Sequence, residues 1–428
     1  MVARASISEV ELAVHDYLLQ LKHARCNRSI HVNATGEHNE NQRRNKKFDV
    51  DLDIHLIVDR ILVSRRECHD GQVMKHYSYH FYRVQPSSDP VEHVLDVGGD
   101  DNEPPVVGSN QWDMPNFEFD DLWENLIFDD NLKLEVLQYV NAMMLMSDRR
   151  VDSTIITINR LLLFHGPPGT GKTTLCKALA QRLCVRLNKR YKRSVFVEVN
   201  SHSLFSKWFS ESGKLVQQLF SQLTALLDDE ECLVSVLIDE VESLTMAREQ
   251  SMARNEPSDA VRVVNALLTQ IDCIRRYPNV LIFTTSNLSD AVDAAFVDRA
   301  DVKRYIGPPS SIAVYSIFVS MIRELQRTSL VSSAVQLHND ACAMGRAPFT
   351  EIRHNNGTPK ADHATLMSER LFEISKKCVG LSGRTLRKLP VMAHSLLLQT
   401  LVPLPQFLDA LNSAVDSEHK NRGHLVKK

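Results

Sequence analysis

The chain has no excess of positive charge. Its 50 Lys and Arg are set against 53 Asp and Glu, a formal net charge of −3. Without a global basic field, nucleic acid and anionic membrane are poor candidates for partners. No apolar run approaches the roughly 18 residues needed to span a bilayer. The eight cysteines are scattered, with no C-x-x-C pair. That disfavours zinc ribbons and disulfide frameworks and points to the reduced thiols of cytosol or nucleus. The 17 histidines include no H-E-x-x-H spacing. Residues 1–8 lack a charged start followed by an apolar core, so no secretory signal is expected. There is no internal repeat and no long low-complexity tract. Against these absences stands an ordinary globular composition, 43% hydrophobic, in 428 residues. That length suits two or three domains.

The chemistry is concentrated in one octapeptide. Gly166-Pro167-Pro168-Gly169-Thr170-Gly171-Lys172-Thr173 matches the phosphate-binding loop G-x-x-x-x-G-K-[ST] in full. An apolar run at 161–164 precedes it and a helix-favouring run at 174–183 follows, the strand–turn–helix context that gives the pattern meaning. Glycines let backbone N–H groups close on phosphates where a side chain would block the approach. Lys172 brings a point charge, and the Thr173 hydroxyl is placed for Mg²⁺. Downstream, Val234-Ser235-Val236-Leu237-Ile238-Asp239-Glu240 is a mostly apolar strand ending in two acids. Asp239 suits Mg²⁺ beside Thr173. Glu240 suits orientation and activation of an attacking water, which favours hydrolysis over passive binding. Asn287, just past the next strand, can position that water with its amide.

Around this centre the chain reads as three parts. Residues 6–25 suggest an amphipathic helix with Ser6 and Glu9 as a capping box, and 48–58 and 77–84 suggest strands. Together they predict a small α+β domain over 1–97. Residues 98–116, rich in Gly, Pro, Asp and Asn, read as a linker. A helix is expected near 130–146. From there, apolar runs at 161–164, 195–199, 234–238 and 280–285 alternate with helical patterns. That alternation predicts an α/β domain over 117–309, a parallel sheet covered on both faces. Residues 310–428 read as helical, with a polar break at 345–362.

The phosphate loop, the D-E strand end and T-T-S-N on the following strand together resemble the AAA+ ATPase superfamily over roughly residues 117–400. The resemblance implies a ring, usually hexameric, with ATP and Mg²⁺ at each subunit boundary and an arginine supplied by the neighbour. Arg299, in Asp293-Ala294-Ala295-Phe296-Val297-Asp298-Arg299, stands where that arginine is carried, with Arg304 next in line. Arg384, in Gly380-Leu381-Ser382-Gly383-Arg384, stands at the lid sensor, and Arg387 follows three residues on. The resemblance adds Thr174 and Ile127 to the nucleotide contacts, Ile127 on the adenine side. It also places Trp208 and Phe209 on a central pore loop that grips an extended polypeptide, with 246–259 as a second pore loop.

Three longer stretches narrow the resemblance. S-K-W-F-S-E-S-G-K, F-V-D-R-A-D-V-K-R-Y-I-G-P-P-S and G-L-S-G-R-T-L-R-K-L-P are similar to the pachytene checkpoint family of AAA+ ATPases, across essentially the whole chain. That implies a homohexameric remodeller of HORMA-domain proteins, working with a HORMA-like adaptor in spindle-checkpoint and meiotic regulation. It implies placement in the nucleus, on chromosomes and in the cytoplasm, with no direct nucleic-acid or membrane partner. Two other readings remain at this stage. A nucleic-acid-stimulated motor is opposed by the near-neutral charge and the aromatic loop, and a nucleotide-switched binding platform by Glu240 and Arg384.

Overall fold

The computed structural model describes residues 28–31, 60–63, 82, 84, 89–95, 106–152, 154–200, 212–242, 259–287, 294–335, 337–338, 363–397 and 399–426. The chain divides into two units, Met1–Phe81 and Tyr82–Lys428. In the first, β1 (Arg28–His31) pairs antiparallel with β2 (Arg60–Val63), Arg28 facing Val63 and His31 facing Arg60. The helix expected at 6–25 and the strand expected at 48–58 lie outside the described residues. So does most of 77–84, of which Tyr82 and Val84 are in neither helix nor strand.

The second unit is built on a seven-stranded sheet with the order β3-β4-β6-β7-β8-β5-β9. The strands are β3 (Val91–Leu95), β4 (Val106–Met114), β5 (Leu161–His165), β6 (Arg193–Val199), β7 (Cys232–Ile238), β8 (Val280–Ser286) and β9 (Val302–Tyr305). The last five run parallel. Side-chain alternation along β5 shows why both faces must be covered. Leu161 and Leu163 point into one apolar cluster, Leu162 and Phe164 into the other. The first cluster is closed by two helices, Ser212–Leu227 and Asp259–Ile274. Leu132–Asp148 and Lys172–Arg186 close the second. Each fully buried Leu or Phe there contributes about 1.5–3 kcal/mol.

Three expectations are corrected. Residues 98–116 are not a linker throughout, because Val106–Met114 is a strand inside the sheet, antiparallel to both β3 and β6. The sheet is therefore mixed rather than wholly parallel. Gly, Asn and Asp in this stretch imitate a turn, but neighbouring strands on both sides override local propensity. Trp112 packs against Phe119 and Phe196 at ring separations of 5.5 and 5.8 Å. Gly108 passes beneath Leu95, whose Cδ1 would lie 2.4 Å from an added Cβ, so the glycine is a packing requirement. The boundary between the two units accordingly falls at 81/82 rather than near 97. The short strand β9 also carried no apolar signature, since V-K-R-Y is half charged.

Beyond the sheet, the chain turns helical. Ser310 caps Ser311–Arg327 by accepting the N–H of Ala313, and Asp129 accepts the N–H of Ser310 at 2.8 Å. Helices His363–Lys377, Gly383–Leu386, Leu389–Ser395 and Leu404–Val426 complete a third cluster around Phe318, Leu371, Leu389 and Phe407. The polar break at 345–362 lies outside the described residues.

Candidate nucleotide-hydrolysis site

The site lies at the C-terminal ends of parallel strands, where such sheets open a crevice. The phosphate loop leaves β5 through Gly166, at φ 142°. A Cβ there would meet the Ile306 carbonyl oxygen at 2.2 Å, so only glycine lets the loop pass β9. Gly169, at φ 77°, turns the loop under the lid. Its carbonyl accepts the N–H of Arg384 at 3.1 Å, and an added Cβ would stand 3.0 Å from Ser382 Oγ and 3.1 Å from Arg384 Cβ. Thr170 Oγ1 donates to the Pro167 carbonyl at 3.0 Å, Pro168 is exposed, and Thr174 is half-buried on the first turn after Lys172.

Lys172 is 5% exposed and donates to the carbonyls of Gly166 and Pro167, both at 2.8 Å. Burial holds its ammonium below the ordinary lysine range, and the charge of Arg384 pushes the same way. The carboxylates of Glu242, Asp239 and Glu240 oppose that shift. An ammonium so desolvated, bonded among the described residues to neutral carbonyls, is ready for an anionic partner.

The strand ends are cross-braced. Thr173 Oγ1 donates to Asp239 Oδ1 and Oδ2 at 3.1 and 3.0 Å. Thr285 Oγ1 hydrogen-bonds Asp239 Oδ1 and accepts the Glu240 N–H at 3.2 Å. Glu240 sits at φ 56°, a left-handed conformation that costs a non-glycine residue about 1–3 kcal/mol and clusters at functional sites. Asn287 Nδ2 donates to Glu240 Oε1 at 3.0 Å, and the Asn287 N–H donates to Glu242 Oε1 at 2.9 Å. The set fits a nucleotide with a hard cation. A hydroxyl and a carboxylate stand side by side as oxygen donors, a buried ammonium lies in the adjoining phosphate loop, and buried Glu242 Oε2 has no hydrogen-bond partner among the described residues.

On the lid side, Ser382 caps the short Gly383–Leu386 helix, with Arg384 exposed on it. Arg387 Nη2 donates to the Asn125 carbonyl at 2.6 Å, tying the lid to the segment that carries Leu126 and Ile127. Leu126 Cδ2 would lie 3.1 Å from a Cβ on Gly171, and Ile127 packs against the lid core. Both therefore flank the loop between sheet and lid.

The structure thus brings together Gly166 through Thr174, Asp239, Glu240, Asn287 and the backbone of Arg384. Arg299 stands elsewhere, at the end of Ala294–Arg299. It donates to Asp272 through Nη2 at 2.8 Å and Nε at 3.1 Å, and to the Ala295 carbonyl at 2.9 Å. Arg304, on β9, pairs with Glu135. Trp208, Phe209 and most of 246–259 lie outside the described residues. Sequence reasoning missed Thr285, Ser382 and Glu242. Glu242 could have been noticed as the third acid in D-E-V-E.

Comparison with known proteins decides the family. A family model for AAA, the ATPase family associated with various cellular activities, matches residues 162–308. A second, for the TRIP13-like AAA+ ATPase lid C-terminal domain, matches 310–419. The chain is 49% identical over 344 residues to the pachytene checkpoint protein 2 homolog of Xenopus tropicalis, covering 80% of this chain and 76% of that protein. The chain belongs to the pachytene checkpoint protein 2 family. It is 44% identical over 380 residues to a putative pachytene checkpoint protein 2 of Caenorhabditis elegans, covering 86% and 85% of the two chains. The solved structure of C. elegans PCH-2 superposes with a TM-score of 0.71 at 37% identity, covering 98% of this chain and 97% of that one. A chain in the Escherichia coli MS115-1 HORMA:CdnC:Trip13 complex shares the fold, with a TM-score of 0.52 at 16% identity over 71% and 93% of the two chains. As a member of the pachytene checkpoint protein 2 family with an AAA domain and its lid, the chain is an ATPase.

Proposed function

We propose that this ATPase is a homohexameric remodeller of HORMA-domain proteins, acting with a HORMA-like adaptor in spindle-checkpoint and meiotic chromosome regulation. The observation that carries the reading is a braced hydrolysis site joined to a TRIP13-like lid over 310–419. The E. coli relative named for its complex with a HORMA protein points the same way.

The phosphate loop and Lys172 hold the phosphates of ATP. Thr173 and Asp239 would hold Mg²⁺, which neutralises charge developing on the transferring phosphoryl group. Glu240 orients the attacking water and accepts its proton, while the Asn287 amide holds that carboxylate in place. Arg384 reports the γ-phosphate to the lid through its contact with Gly169. Arg299 of a neighbouring subunit completes the site, with Arg304 as the alternative. Trp208 and Phe209 grip substrate polypeptide by flat contact area rather than by sequence. A pull on one mobile element suffices, because a two-state fold needs only its local lock broken. The protein works in the nucleus, on chromosomes and in the cytoplasm, without direct contact to nucleic acid or membrane.

Steady-state ATP hydrolysis tests this reading, measured with a closed HORMA protein plus its adaptor and with DNA as control. Stimulation by the HORMA pair alone supports it. Stimulation by DNA alone replaces it with a nucleic-acid motor.

A further inference from the structure

The acid two residues beyond Glu240 lines the site but has been assigned no role so far. Glu242 is 7% exposed, and a buried carboxylate requires partners. Its Oε1 has one, the Asn287 N–H at 2.9 Å. Its Oε2 has none among the described residues. Glu242 is among the carboxylates that oppose the lowering of the Lys172 pKa by burial.

The bond to Asn287 matters because of where it falls. Strand β8 ends at Ser286, so Asn287 is the first residue beyond the ladder. Its side-chain amide donates to Glu240 Oε1 at 3.0 Å. Just upstream, the Val241 N–H donates to the Thr285 carbonyl at 3.0 Å, bracing the two strand ends together. The charge-assisted bond from Glu242 extends that bracing to the Asn287 peptide.

We propose that Glu242 is a positioning residue for ATP hydrolysis: it clamps the backbone of Asn287 and thereby aims the amide that holds the Glu240 carboxylate. The role rests on the reading of Glu240 and Asn287 given under the proposed function. It acts through Asn287. A residue that merely fills space would influence folding or nucleotide affinity. A clamp influences turnover and tolerates any side chain that still presents an oxygen acceptor.

The test uses the full chain with three variants: Glu242→Gln, Glu242→Ala and Glu240→Gln. Each is measured for steady-state hydrolysis at saturating ATP, affinity for a fluorescent ATP analogue, and melting temperature. Glu242→Gln retains an oxygen for the Asn287 N–H, so kcat stays within about threefold of the native chain. Glu242→Ala loses the bond, so kcat falls roughly 10- to 100-fold with analogue affinity and melting temperature retained. Equal loss in both Glu242 variants would move the effect to charge and overturn the clamp. Native turnover in Glu242→Ala would overturn it, as would a loss confined to affinity or melting. Glu240→Gln separates the two levels. If that variant hydrolyses ATP at the native rate, the reading of the site fails. If it is inert while Glu242→Ala is native, only the clamp fails.

Discussion

Gly169→Ala isolates the junction between phosphate loop and lid. The native φ of 77° is left-handed, and an L side chain there costs about 1–2 kcal/mol. The new Cβ would stand 3.0 Å from Ser382 Oγ and 3.1 Å from Arg384 Cβ, so the lid helix must retreat by a few tenths of an ångström. Retreat weakens the Gly169 carbonyl's bond to the Arg384 N–H, now 3.1 Å and worth about 0.5–1.5 kcal/mol. The sum, about 1.5–3.5 kcal/mol on the lid-docked state, corresponds to a loss in kcat/KM of about 10- to 400-fold. Gly383→Ala is the control. It faces the same junction from the lid side, but its φ is not left-handed and its Cβ would meet only the Gly169 carbonyl oxygen, at 3.3 Å. It should stay within about threefold of native, since a contact of that length yields to a small shift. Steady-state kinetics across an ATP titration, with melting temperature alongside, make the comparison. Native kcat/KM in Gly169→Ala, or equal losses in both variants, would refute the claim that loop and lid communicate through this contact.

Three further outcomes follow, two from the proposed function and one from the fold. Trp208→Ala should leave basal hydrolysis largely intact while HORMA remodelling fails, and retained remodelling would remove the pore-grip role. Arg299→Ala should abolish hydrolysis with nucleotide still bound, and preserved turnover would transfer the role to Arg304. Lys133, half-buried and bonded to the carbonyls of Trp123 and Leu126 at 2.6 Å each, has its pKa lowered by desolvation to about 8. Its folded-state pKa lies below the unfolded value, so the unfolded chain binds more protons between about pH 8 and 10.5. Stability of the native chain relative to Lys133→Met should therefore rise with pH across that window, as denaturant titrations at several pH values would show.

How much was legible depends on whether a residue's role is written in its own neighbourhood. The phosphate loop was legible because its glycines answer a local backbone demand. The strands β5 to β8 were legible because burial on both faces forces near-continuous apolar runs. Strand β4 was not. Its Gly108 is required by Leu95, and its Trp112 by Phe119 and Phe196, all partners on other elements. Thr285 and Glu242 escaped for the same reason. Each matters through a hydrogen bond to a neighbouring strand end, and nothing in T-T-S-N or D-E-V-E alone says which atom faces which. The docking of Ser382 and Arg384 on Gly169 joins positions more than two hundred residues apart, so it too emerges only in three dimensions.

The insertion of β4 beside β6 has a mechanical consequence. Strand β6 precedes the stretch holding Trp208 and Phe209 in sequence, so on the proposed pore-loop reading a load taken up there would enter the sheet along β6. That strand is paired over its length with β4 on one side and β7 on the other. A pull along its axis loads those hydrogen bonds together, in shear, instead of unzipping them one at a time. If the chain remodels its substrate as proposed, the strand that looked like a tether between domains would serve as a splice that resists that load.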